Sequence, residues 1–268
     1  MNATGDRCSL PSALLEALAD FSEFESIDST NAEALRQIQA GKTGTRAFLA
    51  LSQTAGRGRR GRAWQSPVGA GIYLSLSRPF GAAMRELQGL SLVTALSVRQ
   101  ALQACGADGL QLKWPNDLLA NKKKLAGILL ELKQCRDESY VVFGIGINLA
   151  LPPAVLREIG QPATDLQTLI GGAVERTTVV TELLTGLLAN LQRFEQTGFQ
   201  GFRDDWNRHD CYYNEDIVLQ EGEHRHIGKS LGVDTSGALM LQTAEGLITI
   251  SGGEIFPSLR PVKPGTLS

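Results

Sequence analysis

The 268-residue sequence lacks both metal-binding and disulfide patterns. It contains only three histidines and four cysteines, and Cys8, Cys105, Cys135 and Cys211 lie far apart with no C-x-x-C pair. No histidine stands at metal-ligand spacing from a cysteine. We therefore expect reduced thiols in a cytoplasmic protein, with neither a disulfide framework nor a zinc site, and we assign no residue as a metal ligand.

Long apolar runs and an excess of positive charge are also absent. No run of about 18 apolar residues occurs, which excludes a membrane-spanning helix, and Glu16 and Asp20 interrupt the N-terminal apolar stretch, so no signal peptide is predicted. Lys plus Arg number 26 and Asp plus Glu number 28, a formal charge of −2, which argues against a generally basic nucleic-acid-binding protein. The hydrophobic fraction of 43% is enough for a substantial core.

The hydrophobic pattern predicts an α/β core followed by a small β domain. Helices are expected at residues 12–20, 31–40, 85–105 and 178–196, and strands at residues 46–52, 71–77, 110–114, 127–133 and 140–148. Thr30 and Glu33 have the spacing of a capping box, and Gly41 ends that helix. Beyond Cys211 the chain changes to short alternating segments with hairpin-like turns. We therefore divide it into residues 1–211 and 212–268.

An arginine-rich loop is the strongest local signal. Residues 56–62 read Gly-Arg-Gly-Arg-Arg-Gly-Arg, in a chain of negative net charge. Glycine lets the backbone approach a ligand, and arginine offers a planar fork of donors to phosphate or carboxylate. We expect the loop to repel itself when empty and to order around an anion. A solvated basic loop or a nucleic-acid-binding segment is the alternative, but the loop lies between two predicted strands and Trp64 follows it, an aromatic that could stack on a flat ring.

A second motif is Lys113-Trp114-Pro115-Asn116-Asp117, followed by three lysines. Proline fixes its own φ and biases Trp114 away from helix, so Asn116 and Asp117 are held in a defined place. An aspartate there can bind Mg²⁺ or accept a proton from an attacking amine. Lys124 stands next to an apolar strand and could reach a ligand carboxylate. Lys122 and Lys123 are interpreted as solvated.

Two further segments fit a ligand site only in combination with these motifs. In Gly144-Ile145-Gly146-Ile147-Asn148 the glycines and Asn148 share one strand face, where another group can pack closely, a crossing helix being the alternative. The segment Asp28-Ser29-Thr30-Asn31 is explained by a helix cap alone, but its short polar side chains also suit a small polar ligand. No G-x-S-x-G, P-loop or H-E-x-x-H motif is present.

Taken in order, DSTN, QTAGRGRRGRAW, KWPNDLL, KKLAGILLEL, GIGINL and the terminal GGEI resemble the biotin–protein ligases over residues 26–260. The resemblance implies a mixed-sheet α/β (α+β) catalytic domain of the class II synthetase-like, biotin–lipoate ligase type, with a C-terminal SH3-like β-barrel. It implies two reactions: biotin and MgATP form biotinyl-5′-AMP, and the biotinyl group then passes to one lysine of a biotin carboxyl carrier protein. The expected small molecules are biotin, ATP and Mg²⁺.

The resemblance also implies roles for individual residues. The polar residues Ser29, Thr30, Asn31 and Gln53 would hydrogen-bond the ureido ring of biotin. Arg57, Gly58 and Arg59 would close over biotin and the adenylate, Lys124 would lie near the biotin carboxylate and α-phosphate, and Trp64 would support adenine with Asn116 and Asn148 nearby. Asp117 or Lys113 would assist the target lysine, and Arg260 would reach the nucleotide. The remaining residues assigned to the binding site are Gly56, Arg60, Arg62, Gly127, Gly144 and Gly146.

Three expectations concern partners and alternatives. Only residues 1–28 precede the first motif, too few for a winged helix-turn-helix, so no DNA binding is expected. Phe256 and Pro257 separate GGEI from Ser258-Leu259-Arg260, which is a departure from the family's pattern. The competing functions are a lipoate–protein ligase or transferase and a nucleic-acid-binding module that uses the arginine loop. The sequence leaves the oligomeric state open, with a homodimer among the options.

Overall fold

A seven-stranded mixed sheet forms the larger part of the molecule. The computed structural model describes residues 8–80, 87–135 and 138–255. The strands of this sheet are β1 (Asp20–Phe24), β2 (Arg46–Ala50), β3 (Gly71–Phe80), β4 (Leu110–Lys113), β5 (Asp117–Ala120), β6 (Lys123–Cys135) and β7 (Glu138–Asn148). They follow the order β1-β2-β3-β7-β6-β5-β4. Strands β1 and β2 are parallel, and the other neighbouring pairs are antiparallel.

Helices cover both faces of this sheet because its central strands are apolar on both sides. The helices are α1 (Ser12–Glu16), α2 (Thr30–Gln39), α3 (Leu87–Ala104), α4 (Pro153–Glu158), α5 (Leu166–Ile170), α6 (Arg176–Thr197) and α7 (Arg203–His209). Ile38 of α2 packs with Phe48 and Val142 on one face. On the other face α3 packs against α6 and against β6, and Phe143 and Ile145 of β7 belong to the same hydrophobic cluster. Within the described residues, no helix is both long and apolar enough to cross a membrane.

A second, antiparallel sheet follows in the C-terminal part of the chain. Its strands are β8 (Asp216–Glu221), β9 (His224–Val233), β10 (Leu239–Thr243), β11 (Gly246–Ile250) and β12 (Glu254–Ile255), in the order β11-β10-β9-β8-β12. The β9–β10 turn packs on α3 and on the segment between β4 and β5, where Trp114 Nε1 donates to the carbonyl of Gly237 at 3.1 Å. Gly237 has φ +88, and a Cβ there would lie 2.9 Å from Leu92. The two sheets therefore meet behind the segment that carries the KWPND motif.

This architecture confirms the predicted class, a mixed α/β sheet followed by a small β unit. The predicted helix over 12–20 is wrong at its end, because Asp20 starts a strand that pairs with β2. The capping box is also wrong: Ser29, not Thr30, caps α2 by accepting from the Ala32 N–H at 3.4 Å. Strands β1 and β5 and helices α4, α5 and α7 were not predicted. All four cysteines are free, as expected.

Candidate active site

One cavity of about 490 Å³ gathers the predicted site residues. Eighteen of them line it: Ser29, Thr30, Asn31, Gln53, Arg57, Gly58, Arg59, Arg60, Arg62, Trp64, Lys113, Asn116, Asp117, Lys124, Gly127, Gly144, Gly146 and Asn148. Gly56 does not line the cavity but packs behind it, where a Cβ would be 2.6 Å from the Trp64 carbonyl. Arg260 lies outside the described residues. Residues that are distant in sequence thus come together at the sheet's central strands.

One end of the cavity is polar but uncharged. The backbone N–H of Thr30 donates to Gln53 Oε1 at 2.9 Å, and Gln53 Nε2 donates to Ser66 Oγ at 3.1 Å. Ser75, fully buried on β3, lies 2.7 Å from the Thr30 hydroxyl. These contacts fix the orientation of every side chain in the group. They follow from α2 beginning directly over β3, so that its first turn faces the cavity.

The glycines of β6 and β7 make room for side chains that cross the sheet closely. A Cβ on Gly144 would collide with the Asn31 amide, and one on Gly146 would lie 2.5 Å from the Trp64 ring. A Cβ on Gly127 would also meet Trp64, at 3.0 Å. The predicted close packing on this strand face is confirmed. The packing group is an indole and an amide, and Trp64 Nε1 has no hydrogen-bond partner among the described residues.

The arginine loop turns tightly over the cavity and is held by protein carboxylates. The Gly58 N–H donates to the Arg62 carbonyl at 2.7 Å, around a 3₁₀ turn in which Arg60 has φ 56. Arg62 donates to both oxygens of Glu254 at 2.5 and 2.9 Å, and Arg60 pairs with the same carboxylate at 3.1 Å. Arg57 contacts both oxygens of Glu131 at 3.3 Å.

We expected a bound anion to relieve the repulsion between the loop arginines, but protein carboxylates already relieve part of it. Glu131 on β6 and Glu254 on β12 supply part of the compensating charge. Burial raises the pKa of Glu254, but the hydrogen bonds from Arg62 and the charges of Arg62 and Arg60 outweigh it and lower that pKa overall. Arg59 reaches further in, donating to Asn116 Oδ1 at 3.2 Å. Mobility of the loop without ligand stays a prediction.

Two lysines flank Asp117 at the base of the cavity. Lys124 Nζ lies 2.8 Å from Asp117 Oδ1 and 5.4 Å from the centre of the Trp64 ring. Lys113 pairs with Asp117 in the β4–β5 register and is buried. Burial lowers the pKa of Lys113, an effect that the charge of Asp117 opposes. Lys122 and Lys123 are exposed, as predicted.

The amide side chains hold the surrounding backbone. Asn116 Nδ2 donates to the Ile128 carbonyl at 2.8 Å, and Asn148 Nδ2 donates to the carbonyls of Thr164 and Lys124 at 2.9 and 3.3 Å. The Asn148 contacts fasten the segment between α4 and α5 against β6. That segment supplies cavity-lining residues at 159–161 and 163, next to Glu158 at the end of α4.

Several residues of the site were missed by the sequence analysis. Ser75 was visible only as a small polar residue in an apolar strand, and Glu131 as a charge within another predicted strand. Glu254 belongs to the GGEI segment, but no role was assigned to it. The α4–α5 segment carries no motif. Its contribution depends on the backbone pairing of Lys124 with Ala163, which local pattern does not reveal.

The charge of the cavity favours an anionic ligand. Six basic side chains line it (Arg57, Arg59, Arg60, Arg62, Lys113 and Lys124), against three acidic ones (Asp117, Glu158 and Glu254). Arginine and lysine at such density suit phosphate and carboxylate groups. Over the part of the chain that the structure describes, no group of three His, Cys, Asp or Glu side chains is arranged to hold a metal ion.

Comparison with known proteins identifies the family. The model of the biotin/lipoate A/B protein ligase family matches residues 23–148, and that of the biotin protein ligase C-terminal domain matches residues 214–256. The biotin–[acetyl-CoA-carboxylase] ligase of Paracoccus denitrificans is 40% identical over 85% of this chain and 97% of its own length. This chain belongs to the biotin–protein ligase family. The bifunctional ligase/repressor BirA of Escherichia coli K12 is 39% identical over 85% of this chain and 71% of its own.

A solved structure of a family member agrees with this fold. The biotin protein ligase of Aquifex aeolicus, solved in complex with biotin and ATP, superimposes with a TM-score of 0.75 at 31% identity. The match covers 89% of this chain and 98% of that one. The family resemblance of the ordered motifs is thereby confirmed, as is the fold class that it implied.

Proposed function

We propose that this biotin–protein ligase activates biotin with ATP to biotinyl-5′-AMP and transfers the biotinyl group to a lysine of a biotin carboxyl carrier protein. The observation that carries the proposal is the division of one cavity into a neutral hydrogen-bonding end at Thr30 and Gln53 and a strongly basic end at the arginine loop. Biotin combines a neutral cyclic urea with a carboxylate, and ATP carries a triphosphate. The cavity offers complementary groups to each part.

In the first reaction a biotin carboxylate oxygen attacks the α-phosphorus of ATP, and pyrophosphate leaves. Two anions must approach each other, so the barrier falls when fixed positive charges stand where negative charge accumulates. Lys124 is oriented by its ion pair with Asp117, and Arg59 by Asn116. Both side chains are therefore placed before the ligands arrive, which reduces the reorganisation needed during the reaction.

In the second reaction the amine of the carrier lysine attacks the carbonyl carbon of the mixed anhydride. AMP leaves and the amine nitrogen loses a proton. Asp117 and Lys113 are the candidates to accept that proton. Lys113 is buried beside Asp117, and burial lowers its pKa, an effect that the charge of Asp117 opposes. Lys113→Met should then slow transfer from preformed adenylate more than it slows adenylate formation, and Asp117→Asn should slow both.

Few carboxylates near the basic end of the cavity are free to bind Mg²⁺. Asp117 is paired with Lys124, and Glu254 with two arginines. Mg²⁺ is proposed to enter as part of the MgATP substrate, held chiefly by phosphate oxygens. Trp64 is proposed to support the adenine ring, and the site roles assigned by resemblance are kept as proposals, including that of Arg260.

The assembly and location are also proposed. The boundary between a catalytic domain and an SH3-like domain is placed at residues 211 and 212, between the two sheets. Strand β5 pairs with β6 only as far as Gly127. Beyond that residue, the same edge of β6 pairs with no strand among the described residues, and this edge supports a homodimer. Free thiols support a cytoplasmic location. No DNA partner is proposed.

Biotin-dependent exchange between ATP and labelled pyrophosphate tests the proposal directly. The protein should catalyse exchange when biotin is present and should do so far less with lipoate, which lacks the urea. Exchange that is independent of the added acid, or that requires lipoate, would contradict the assignment. Titration calorimetry with both acids provides a readout that does not depend on catalysis.

A further inference from the structure

Trp114 is a buried residue of the KWPND segment that takes no direct part in the two proposed reactions. It begins the turn of residues 114–116, which joins β4 to β5. Lys113 and Asp117, on either side of this turn, are held by their pairing in the sheet. Trp114, Pro115 and Asn116 lie outside that pairing, so other contacts must determine how the turn is oriented.

On the cavity side, β6 holds the turn through Asn116. The Ile128 N–H donates to the Asn116 carbonyl at 2.9 Å, and Asn116 Nδ2 donates to the Ile128 carbonyl at 2.8 Å. Both bonds join the turn to one residue of β6, so they leave the turn able to tilt about that residue. Because Asn116 Oδ1 accepts from Arg59 at 3.2 Å, such a tilt would move the group that orients Arg59.

Two further hydrogen bonds hold the turn from other elements. Trp114 Nε1 donates to the Gly237 carbonyl of the C-terminal sheet at 3.1 Å, and the Ser91 hydroxyl of α3 donates to the Pro115 carbonyl at 3.1 Å. Neither Ser91 nor Gly237 is among the described residues that line the cavity. These bonds therefore restrict the tilt of the turn without contacting a ligand.

The β9–β10 turn is itself rigid, so the Gly237 carbonyl has a defined position. The Asp234 carboxylate accepts from the N–H and the hydroxyl of Ser236 at 2.8 and 2.7 Å. Directly before this turn, Asn207 of α7 accepts from the Val233 N–H at 2.8 Å and donates to the Val233 carbonyl at 3.3 Å. The acceptor that faces the buried indole is thus fixed both by its own turn and by α7.

We propose that Trp114 is a positioning residue for adenylate formation: its hydrogen bond to the C-terminal sheet keeps the β4–β5 turn from tilting, so that Asn116 holds Arg59 in place. The inference rests on the proposed function, in which Arg59 stabilises negative charge at the α-phosphate. The indole N–H of Trp114 is taken up by Gly237 and is not offered to the ligand. Trp114 therefore acts through Asn116, and a small displacement matters because a fixed charge is effective only where negative charge accumulates.

Trp114→Phe removes the indole N–H and keeps an aromatic ring in the core. A competing explanation of this variant is a loosened C-terminal sheet, whose Glu254 binds the arginine loop. Ser91→Ala separates the two explanations, because it removes the bond from α3 to Pro115 and leaves the contacts of the C-terminal sheet in place.

Each variant has a matched control. Trp206→Phe is the control for Trp114→Phe, because Trp206 is also fully buried and its indole N–H has no hydrogen-bond partner among the described residues. Thr94→Val is the control for Ser91→Ala, because Thr94 lies on the same helix and its hydroxyl donates to the Leu90 carbonyl within that helix.

The experiment measures kcat for biotin-dependent pyrophosphate exchange, divided by the number of biotin sites that titration calorimetry counts, so that unfolded protein does not lower the result. We expect Trp114→Phe and Ser91→Ala each to lower this kcat about 3- to 10-fold, the factor that one hydrogen bond contributes. Trp206→Phe and Thr94→Val should leave it unchanged. In an Asn116→Ala background, Trp114→Phe should lower it by less than about twofold, because the residue through which it acts is gone.

The outcomes separate this inference from the proposed function. A wild type without biotin-dependent exchange would overturn both. A wild type that exchanges, with the same kcat per site in whichever of Trp114→Phe and Ser91→Ala folds, would overturn the inference alone. So would an equal loss in Trp206→Phe, or an undiminished loss when Trp114→Phe is added to Asn116→Ala. A loss in Trp114→Phe without one in Ser91→Ala would assign the effect to the C-terminal sheet as a whole and would also refute the inference.

Discussion

Replacing Glu254 by glutamine should loosen the arginine loop in the unliganded enzyme. Glu254 lies on β12 of the C-terminal sheet and accepts from both Arg60 and Arg62. Glutamine keeps the shape of the side chain but loses the charge. The loop turn itself, closed by the Gly58 N–H, should survive. The substitution therefore isolates the electrostatic contribution of one carboxylate.

The exposure of the partners limits the size of the effect. The Arg60 and Arg62 side chains are 45% and 62% exposed, whereas that of Glu254 is 19% exposed. Exposed ion pairs contribute about 0.2–1 kcal/mol each, and the two-pronged Arg62 contact belongs at the upper end. Together they amount to about 1–2 kcal/mol, which shifts the opening equilibrium about 5- to 30-fold. Since pairing lowers the pKa of Glu254, the same contribution is present at neutral pH and lost as pH falls through that pKa.

Trypsin cleavage after the loop arginines measures this opening under native conditions. The Glu254→Gln variant should be cleaved about 5- to 30-fold faster than the wild type, and high salt should bring the wild type towards the variant. Glu195→Gln is the control, because it removes an ion pair with Arg78 far from the loop. Equal cleavage of Glu254→Gln and wild type at low salt would refute the electrostatic account of the loop.

Three further predictions concern the site and its support. Lys124→Ala should reduce the rate of adenylate formation by about 100-fold or more, the usual effect of losing one charge-stabilising group, and should lower the melting temperature only slightly. The control is Lys122→Ala, which removes an exposed lysine. Normal adenylate formation together with a large loss of stability would contradict this prediction. Arg59→Gly should release biotinyl-5′-AMP and label bystander lysines, and unchanged leakage, measured by biotinylation of an added unrelated protein, would count against loop retention. Burial raises the pKa of Asp210 to about 6. Between about pH 4 and pH 6 the folded chain therefore keeps a proton on Asp210 that the unfolded chain has lost. The free energy of unfolding should fall as the pH rises through this range. At pH 7 the Asp210→Asn variant should therefore unfold at a higher urea concentration than the wild type, with a free energy of unfolding greater by at most about 3 kcal/mol. At pH 3.5 the two proteins should unfold at the same urea concentration. A variant less stable than the wild type at pH 7 would contradict the argument.

Local pattern predicted those elements of the fold that carry their own signal. The helix from residue 31 and the strands at 71–77 and 140–148 are apolar with clear periods, and the structure has them as α2, β3 and β7. Strand β1 was not predicted, and the helix expected over 12–20 ran into its first residue, because β1 is defined only by its tertiary pairing with β2. Strand β5 is four residues long and enters the turn at Asn121, whose positive φ ends it. Elements this short depend on their neighbours for stability.

The motifs located the cavity, but not the groups that orient its side chains. Arginine density, the KWPND segment and the glycine strand all point to an anion site, because each residue type has a direct relation to that chemistry. The structural roles of Ser75, Glu131 and Glu254 depend on hydrogen bonds to partners that are 44 to 194 residues away in sequence. No local signal distinguishes such a glutamate from a solvated one. Only the folded arrangement shows which charges it faces.

The division into two sheets does not coincide with the division of labour at the site. Glu254 and Ile255 of the C-terminal sheet line the same cavity as Lys113 and Asp117. The turn between β9 and β10 also reaches the KWPND segment, where the Gly237 carbonyl accepts from Trp114 Nε1 at 3.1 Å. The C-terminal sheet thus contacts both the loop that covers the cavity and the segment that forms its base. A displacement of this sheet would therefore loosen contacts to both parts of the active site, which are also joined directly by the hydrogen bond from Arg59 to Asn116.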